Sequence, residues 1–247
     1  MAAKTFTAAL PLILRHEGGF VDHPADPGGA TNKGITLRTL SAWRASSATV
    51  ADLRAISDAE VAAIYRAGYW DKVRGDDLPA GVDLSVFDMA VNAGPARAAR
   101  MLQGLVGAAP DGAIGPKTLE AIAARDPAAL IADYAAARIG YYRTLKHFPT
   151  FGRGWLRRVE ETRIEAQALA ARRPEDMLAG AVLMAEAGVD VIDINMGCPS
   201  KQVTGGQSGS ALMRDLPLAG EIIDAAIEGA AGRPVTLKMR LGWDDNN

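Results

Sequence analysis

The stretch Leu10-Pro11-Leu12-Ile13-Leu14-Arg15-His16-Glu17-Gly18-Gly19-Phe20 decides the fold of the front of the chain. Leu10, Ile13 and Leu14 recur at the three-and-four spacing of one helix face. Glu17 falls on that face one turn later, and Gly18-Gly19 stops the helix. A carboxylate therefore ends an apolar stripe at a glycine turn. Partial burial there favours the protonated form of the carboxyl, while the glycines leave the backbone open to a ligand. Glu17 is thus the leading candidate for a general acid.

Outward from this turn, residues 21–34 form a loop rich in Pro, Gly and Asp, and a helical pattern then persists to residue 171. Helices are expected at 37–45, 58–69, 84–105, 116–124, 127–145 and 154–171. Ser57 with Glu60 makes a capping box, and Pro116 and Pro127 suit first-turn positions. Past Arg172 the pattern changes to a helix at 174–187, a strand at 189–196, a helix at 216–230 and a strand at 235–241. Such βα alternation is the mark of a parallel sheet. The expected divisions are 1–105, a helical region 106–171, and a βα segment 172–247.

Length and composition bound the classes. The 247 residues are 49% hydrophobic and 23% charged, which excludes a disordered chain and permits a packed core. A single cysteine, Cys198, excludes an intrachain disulfide. The net charge of -2 conceals an asymmetry: residues 1–172 carry 21 Lys+Arg against 18 Asp+Glu, and residues 173–247 carry 6 against 11. A mildly basic front suits an anionic polymer, or is simply the solvated face of arginine-bearing helices. No run of 18 apolar residues offers a membrane span, and Phe6–Leu14 lacks the cleavage pattern of a signal peptide.

The run from His16 to Phe20, followed by Asp26-Pro27-Gly28-Gly29-Ala30-Thr31-Asn32-Lys33-Gly34-Ile35-Thr36 and by Phe87-Asp88-Met89-Ala90-Val91-Asn92-Ala93-Gly94, resembles glycoside hydrolase family 108. The resemblance implies a mainly α, lysozyme-like N-terminal domain. It also implies an N-acetylmuramidase acting on peptidoglycan, without metal or organic cofactor. Glycosidic cleavage needs one protonated carboxyl to donate to the leaving oxygen, the role that falls to Glu17, and a second group to steady the transition state or activate water. By the resemblance the second group is Asp26 or Thr31; Asp26 also suits turn initiation before Pro27. Asp88 and Asn92, four apart, share a helix face and either line the cleft or cap a neighbouring loop. Phe20, Tyr69 and Trp70 either stack on sugar rings or belong to the core.

Residues 110–122, Pro-Asp-Gly-Ala-Ile-Gly-Pro-Lys-Thr-Leu-Glu-Ala-Ile, resemble the repeat element of peptidoglycan-binding modules, and are equally good local structure for a plain helical hairpin. A cytoplasmically made wall hydrolase without a signal peptide would reach its substrate after lysis or through a holin-type route.

The tail carries a second resemblance. Asp193-Ile194-Asn195-Met196-Gly197-Cys198-Pro199, Ser208-Gly209-Ser210 and Lys238-Met239-Arg240-Leu241-Gly242-Trp243 are very similar to tRNA-dihydrouridine synthases. That family implies a TIM barrel holding FMN and acting on tRNA, with Cys198 as proton donor and Asn195, Lys238 and Arg240 at the flavin or substrate. A barrel takes eight strands and about 250 residues. The expectation is therefore an incomplete α/β fragment, a partial TIM barrel that binds neither FMN nor tRNA. A non-catalytic wall-binding module and a flavin-dependent tRNA enzyme are the alternative functions.

Overall fold

The computed structural model describes residues 3–22, 29–170, 174–198 and 209–240. It separates into two compact units, Met1–Thr162 and Arg163–Asn247.

The first unit is helical. Helix α1 (Ala3–Glu17) ends at the glycine turn and accommodates Pro11 on its exposed side. Its apolar stripe is longer than Leu10, Ile13 and Leu14, because Phe6 and Ala9 are also buried. Strands β1 (Thr31–Asn32) and β2 (Ile35–Thr36) then form a small antiparallel hairpin across the end of the loop expected at 21–34. Its two turn residues, Lys33 and Gly34, both have positive φ, 49° and 75°, as a tight two-residue hairpin requires. Buried Asn32 anchors it by donating from Nδ2 to the Leu53 carbonyl at 2.9 Å.

Helices α2 (Leu37–Arg44), α3 (Val50–Arg54) and α4 (Asp58–Tyr65) follow. Ser57 caps α4, accepting from the Glu60 N–H at 3.2 Å. The Glu60 carboxylate instead takes a forked pair from Arg44 at 2.8 and 2.7 Å. A full reciprocal box forms at Thr49 and Asp52, opening α3, a helix too short to show a period. Residues Arg66–Trp70 are a π-helical turn rather than the continued α-helix expected to residue 69. The wider turn lets Tyr65 and Trp70, five apart, both face inward.

At the centre lies α5 (Val82–Ala93), buried at every residue from Val82 to Ala90. Phe87 packs with Phe6 and Trp70 at ring separations of 5.9 and 5.2 Å. The expected helix over 84–105 is two helices: Gly94 (φ 93°) breaks it, and Pro95, which lacks an N–H, opens α6 (Pro95–Leu105). Helices α7 (Pro116–Ala123), α8 (Pro127–Arg143) and α9 (Phe148–Ala170) complete the series, and the division between units falls within α9.

Asp83, in the first turn of α5, accepts backbone N–H bonds from Gly81 and Leu84 at 2.7 and 2.6 Å. Burial nevertheless dominates and pushes its carboxyl up to about 7. An acid whose folded value is raised loses stability as pH climbs from about 4 to about 7, where the unfolded chain binds fewer protons. Asp83→Asn keeps an acceptor for both N–H groups and removes the charge. Its Tm should exceed that of the wild type at pH 8 by on the order of 5 °C, with the gap closing below about pH 4. Scanning calorimetry at the two pH values is the check, and a gap independent of pH would contradict it.

The second unit is a βα arrangement of α10 (Pro174–Glu186), β3 (Ile192–Asn195), α11 (Leu216–Gly229) and β4 (Val235–Lys238). The strands pair in parallel, Ile192 opposite Val235 and Asn195 opposite Lys238. Ile194, Met196, Leu212 and Ile222 form its core, and Gly229 lets α11 approach the α10 backbone. Two parallel strands do not make a closed barrel. Val191, Leu237 and Met239 are left exposed, as are Val182, Leu183 and Met184 on α10.

Candidate active site

Helix α1 delivers Glu17 to the glycine turn with its side chain 19% exposed. Oε1 is buried and lies 2.8 Å from Nη2 of Arg158 on α9, a charge contact without the alignment of a hydrogen bond. Oε2 lies against Gly34, where a Cβ would come within 2.9 Å of it and would collide with the Tyr65 hydroxyl. Tyr65 in turn donates to the Lys33 carbonyl at 2.8 Å, so the hairpin turn is held closed against the carboxyl. A Cβ at Gly18 or Gly19, the two residues that follow, would meet nothing within 4 Å. The carboxyl is thus packed against Arg158 and Gly34 while the glycine turn after it is open.

Behind Glu17 stands a buried charge cluster. Asp88 is fully buried and accepts from Arg158 Nε at 2.9 and 3.2 Å, from Arg158 Nη2 at 2.7 Å and from Arg138 Nη2 at 2.7 Å. Thr162 adds a hydroxyl at 3.3 Å. Burial alone would raise the Asp88 carboxyl, but the two guanidiniums win and hold it below the usual carboxylate range. Arg158 is likewise opposed by burial, and Asp88 and Glu17 overcome that opposition, so it stays cationic. His16 is shifted down, first by burial and then by Arg158, and stands 3.8 Å from Glu161. Tyr65 and Tyr69 are shifted up, first by burial and then by the charge of Glu17, so both remain neutral phenols.

Several expected contacts are redirected. Trp70 is 0% exposed, donates from Nε1 to Asp76 at 2.8 Å and has its ring against Gly75. It is core, with no face to offer a sugar. Asp88 neither lines a cleft nor caps a loop, because two arginines and Thr162 occupy its carboxylate. Asn92 accepts from the Tyr142 hydroxyl at 2.6 Å, so Asp88 and Asn92, four apart on α5, match Arg138 and Tyr142, four apart on α8. The pair ties two helices together. Phe20 is half-buried with the Arg54 guanidinium 3.8 Å above its ring, and Tyr69 is half-buried beside Tyr65 at 5.6 Å. Thr31 is in β1, its hydroxyl donating weakly to Gly29 at 3.4 Å. Asp26 lies outside the described residues.

Arg158 and Arg138 were not singled out from the sequence. Their only signal is that Asp88, among the apolar residues of α5, needs a counter-charge when buried. In the 110–122 element, Gln103 of α6 donates to Asp111 at 2.7 Å and to the Ala113 carbonyl at 3.1 Å, and accepts from Gly112 N–H at 2.9 Å. The turn is thereby locked onto α6, with Thr118 and Ile122 buried and Leu119 half-buried.

In the second unit, Asn195 is exposed and turns its Oδ1 to the Gly197 N–H at 3.0 Å. Lys238 is exposed, and Arg240 donates to the Gly197 carbonyl at 3.1 Å. Cys198 is half-buried, its carbonyl accepting from both the N–H and the hydroxyl of Ser210 at 3.1 Å. Among the described residues they sit on or beside a two-stranded parallel sheet. Among the described residues no group of three His, Cys, Asp or Glu is placed to hold a metal ion, and no helix is long and apolar enough to cross a membrane.

Comparison with known proteins divides the chain in the same sense. The glycosyl hydrolase 108 family model matches residues 10–94, a family described as a predicted peptidoglycan domain matches 97–160, and the dihydrouridine synthase family matches 154–247. A solved structure titled "Structure of Brucella abortus SagA" is 48% identical with a TM-score of 0.62, covering 68% of this chain and 97% of that one. A probable tRNA-dihydrouridine synthase of Rhizobium leguminosarum bv. phaseoli is 56% identical over 79 residues, 32% of this chain and 25% of that protein. The tRNA-dihydrouridine synthase B of Proteus vulgaris is 44% identical over 90 residues, 36% of this chain and 28% of that protein. The chain spans about a quarter of the length of these curated relatives. With its helical unit ending at Thr162 and a separate βα unit behind it, the chain belongs to the glycosyl hydrolase 108 family and carries a peptidoglycan domain and a dihydrouridine synthase segment after it.

Proposed function

We propose that the helical unit is an N-acetylmuramidase that cuts peptidoglycan between N-acetylmuramic acid and N-acetylglucosamine, with Glu17 as general acid. The observation that carries this reading is the setting of Glu17: its carboxyl is packed against Arg158 and Gly34, partly exposed, and followed by the open turn of Gly18 and Gly19. A glycan strand laid along the glycine edge brings its glycosidic oxygen to the carboxyl. Protonated Glu17 gives its proton to that oxygen as the C1–O bond breaks, and the ring carbon takes the hydroxide of a water molecule. The water's remaining proton passes to a base and restores the acid. Thr31 or Asp26 fills the second role. Digestion of purified cell wall tests the bond assignment: muropeptides should carry N-acetylmuramic acid at the new reducing end. Reducing N-acetylglucosamine would make the enzyme a glucosaminidase instead.

The second unit, in this reading, takes no part in the chemistry and binds neither FMN nor tRNA. Its charge opposes a polyanion, and its site-type residues lie on an open sheet. The purified chain should be colourless, and Cys198→Ala should lyse walls at the wild-type rate. A yellow preparation with one FMN per chain, or any loss of lysis on that substitution, would overturn this assignment.

A further inference from the structure

Among the described residues, Arg158 is the side chain whose ion pairs join Asp88 to Glu17. Its Nε and Nη2 are taken by the Asp88 carboxylate, and the same Nη2 stands 2.8 Å from Glu17. The guanidinium is 13% exposed, and Asp88, itself fully buried, is fixed from behind by Arg138 and Thr162. The direction of the fork is therefore set by Asp88 and not by Glu17. A planar cation clamped in this way presents a fixed edge to the second carboxyl, where a lysine would present only a mobile point charge.

Charge balance adds a consequence. With Glu17 ionised, two carboxylates face two guanidiniums; with Glu17 protonated, the buried group carries one net positive charge. Among the described residues, the other titratable groups around Glu17 include His16 beside it on α1, Tyr65 and Tyr69 from the α4 and π-helical segment, and Glu161 on α9. His16 is shifted toward its neutral form and both tyrosines remain phenols. Glu161, 52% exposed, is screened by solvent. Arg158 is a permanent charge in contact with the acid.

Resting on the reading of Glu17 as the general acid, we propose that Arg158, aimed by Asp88, is a positioning residue that holds the Glu17 carboxyl with Oε1 inward and Oε2 against Gly34.

The test is kcat and KM of wall lysis by the full chain, for wild type, Arg158→Gln and Arg158→Lys, with the fold of each checked by circular dichroism and thermal melting. In Arg158→Gln kcat should fall about tenfold or more while KM changes little. Arg158→Lys restores the charge without the fork, so its kcat should stay low with KM again little changed. A loss carried by KM, or one that tracks a lowered Tm, would show a merely structural role and overturn the proposal, as would full activity in either variant. If Arg158→Gln does not fold, Arg158→Lys carries the test, and a wild-type kcat there overturns it. Wild-type turnover by Glu17→Gln would instead remove the reading beneath, a separate result.

Discussion

Glu17→Gln should abolish wall lysis while leaving circular dichroism and Tm close to those of the wild type. The amide has the size and shape of the carboxyl, so the packing against Gly34 and Tyr65 is kept. It has no proton acidic enough to donate to a glycosidic oxygen. General acid catalysis contributes about 10²- to 10⁴-fold, and a loss in that range in kcat, with KM little changed, is the expected result. The fold should tolerate the change because Arg158 retains Asp88 as its counter-ion. A variant that lyses walls at a tenth of the wild-type rate or better would show that the proton comes from elsewhere.

The second large effect concerns where the hydrolase ends. A chain stopped at Ala170 should lyse walls as the full chain does, whereas one stopped at Arg153 should lose both activity and stability. The dihydrouridine synthase match begins at residue 154, yet the compact helical unit runs to Thr162. Between the two lie Arg158, Val159 and Thr162, and the first and last of these bond to Asp88. Removing them leaves a fully buried carboxylate with Arg138 alone. Breaking a buried ion pair by deleting one partner costs about 3–5 kcal/mol, against a total stability of about 5–15 kcal/mol for a domain. The loss of buried Val159 adds to that. Turbidity clearing and thermal melts of the two shortened chains decide the matter. An active, stable chain ending at Arg153 would show that Asp88 does not need α9.

What could be read from the linear chain was local. The end of α1 at Glu17 follows from the alternation of apolar residues and the glycine pair, and Ser57, Pro116 and Pro127 mark helix starts where the structure has them. The change to βα order past Arg172 and the parallel pairing of its strands follow from hydrophobic runs of strand length between helical ones. Gly94-Pro95 also carried its signal, since a proline without an N–H after a left-handed glycine ends one helix and starts another. The expected single helix gave the apolar period more weight than the break. At Trp70 the sequence offered no resolution: an aromatic at a helix end serves a core or a sugar equally well, and only burial distinguishes them.

The sequence by itself determined that a carboxylate would close an apolar helix face beside two glycines, and that two unlike folding patterns share the chain. Only the tertiary structure decided what stands around that carboxylate. Asp88 and Arg158 are 70 residues apart, and Lys33 and Tyr65 are 32 apart, so no spacing rule connects them. Their meeting is imposed by packing: Asp88 sits on the fully buried stretch of α5 and is paired with cations on α8 and α9, and the second of these then reaches Glu17. A charge with no route to water must be paired, and which partner supplies the pair is a property of how the helices stack.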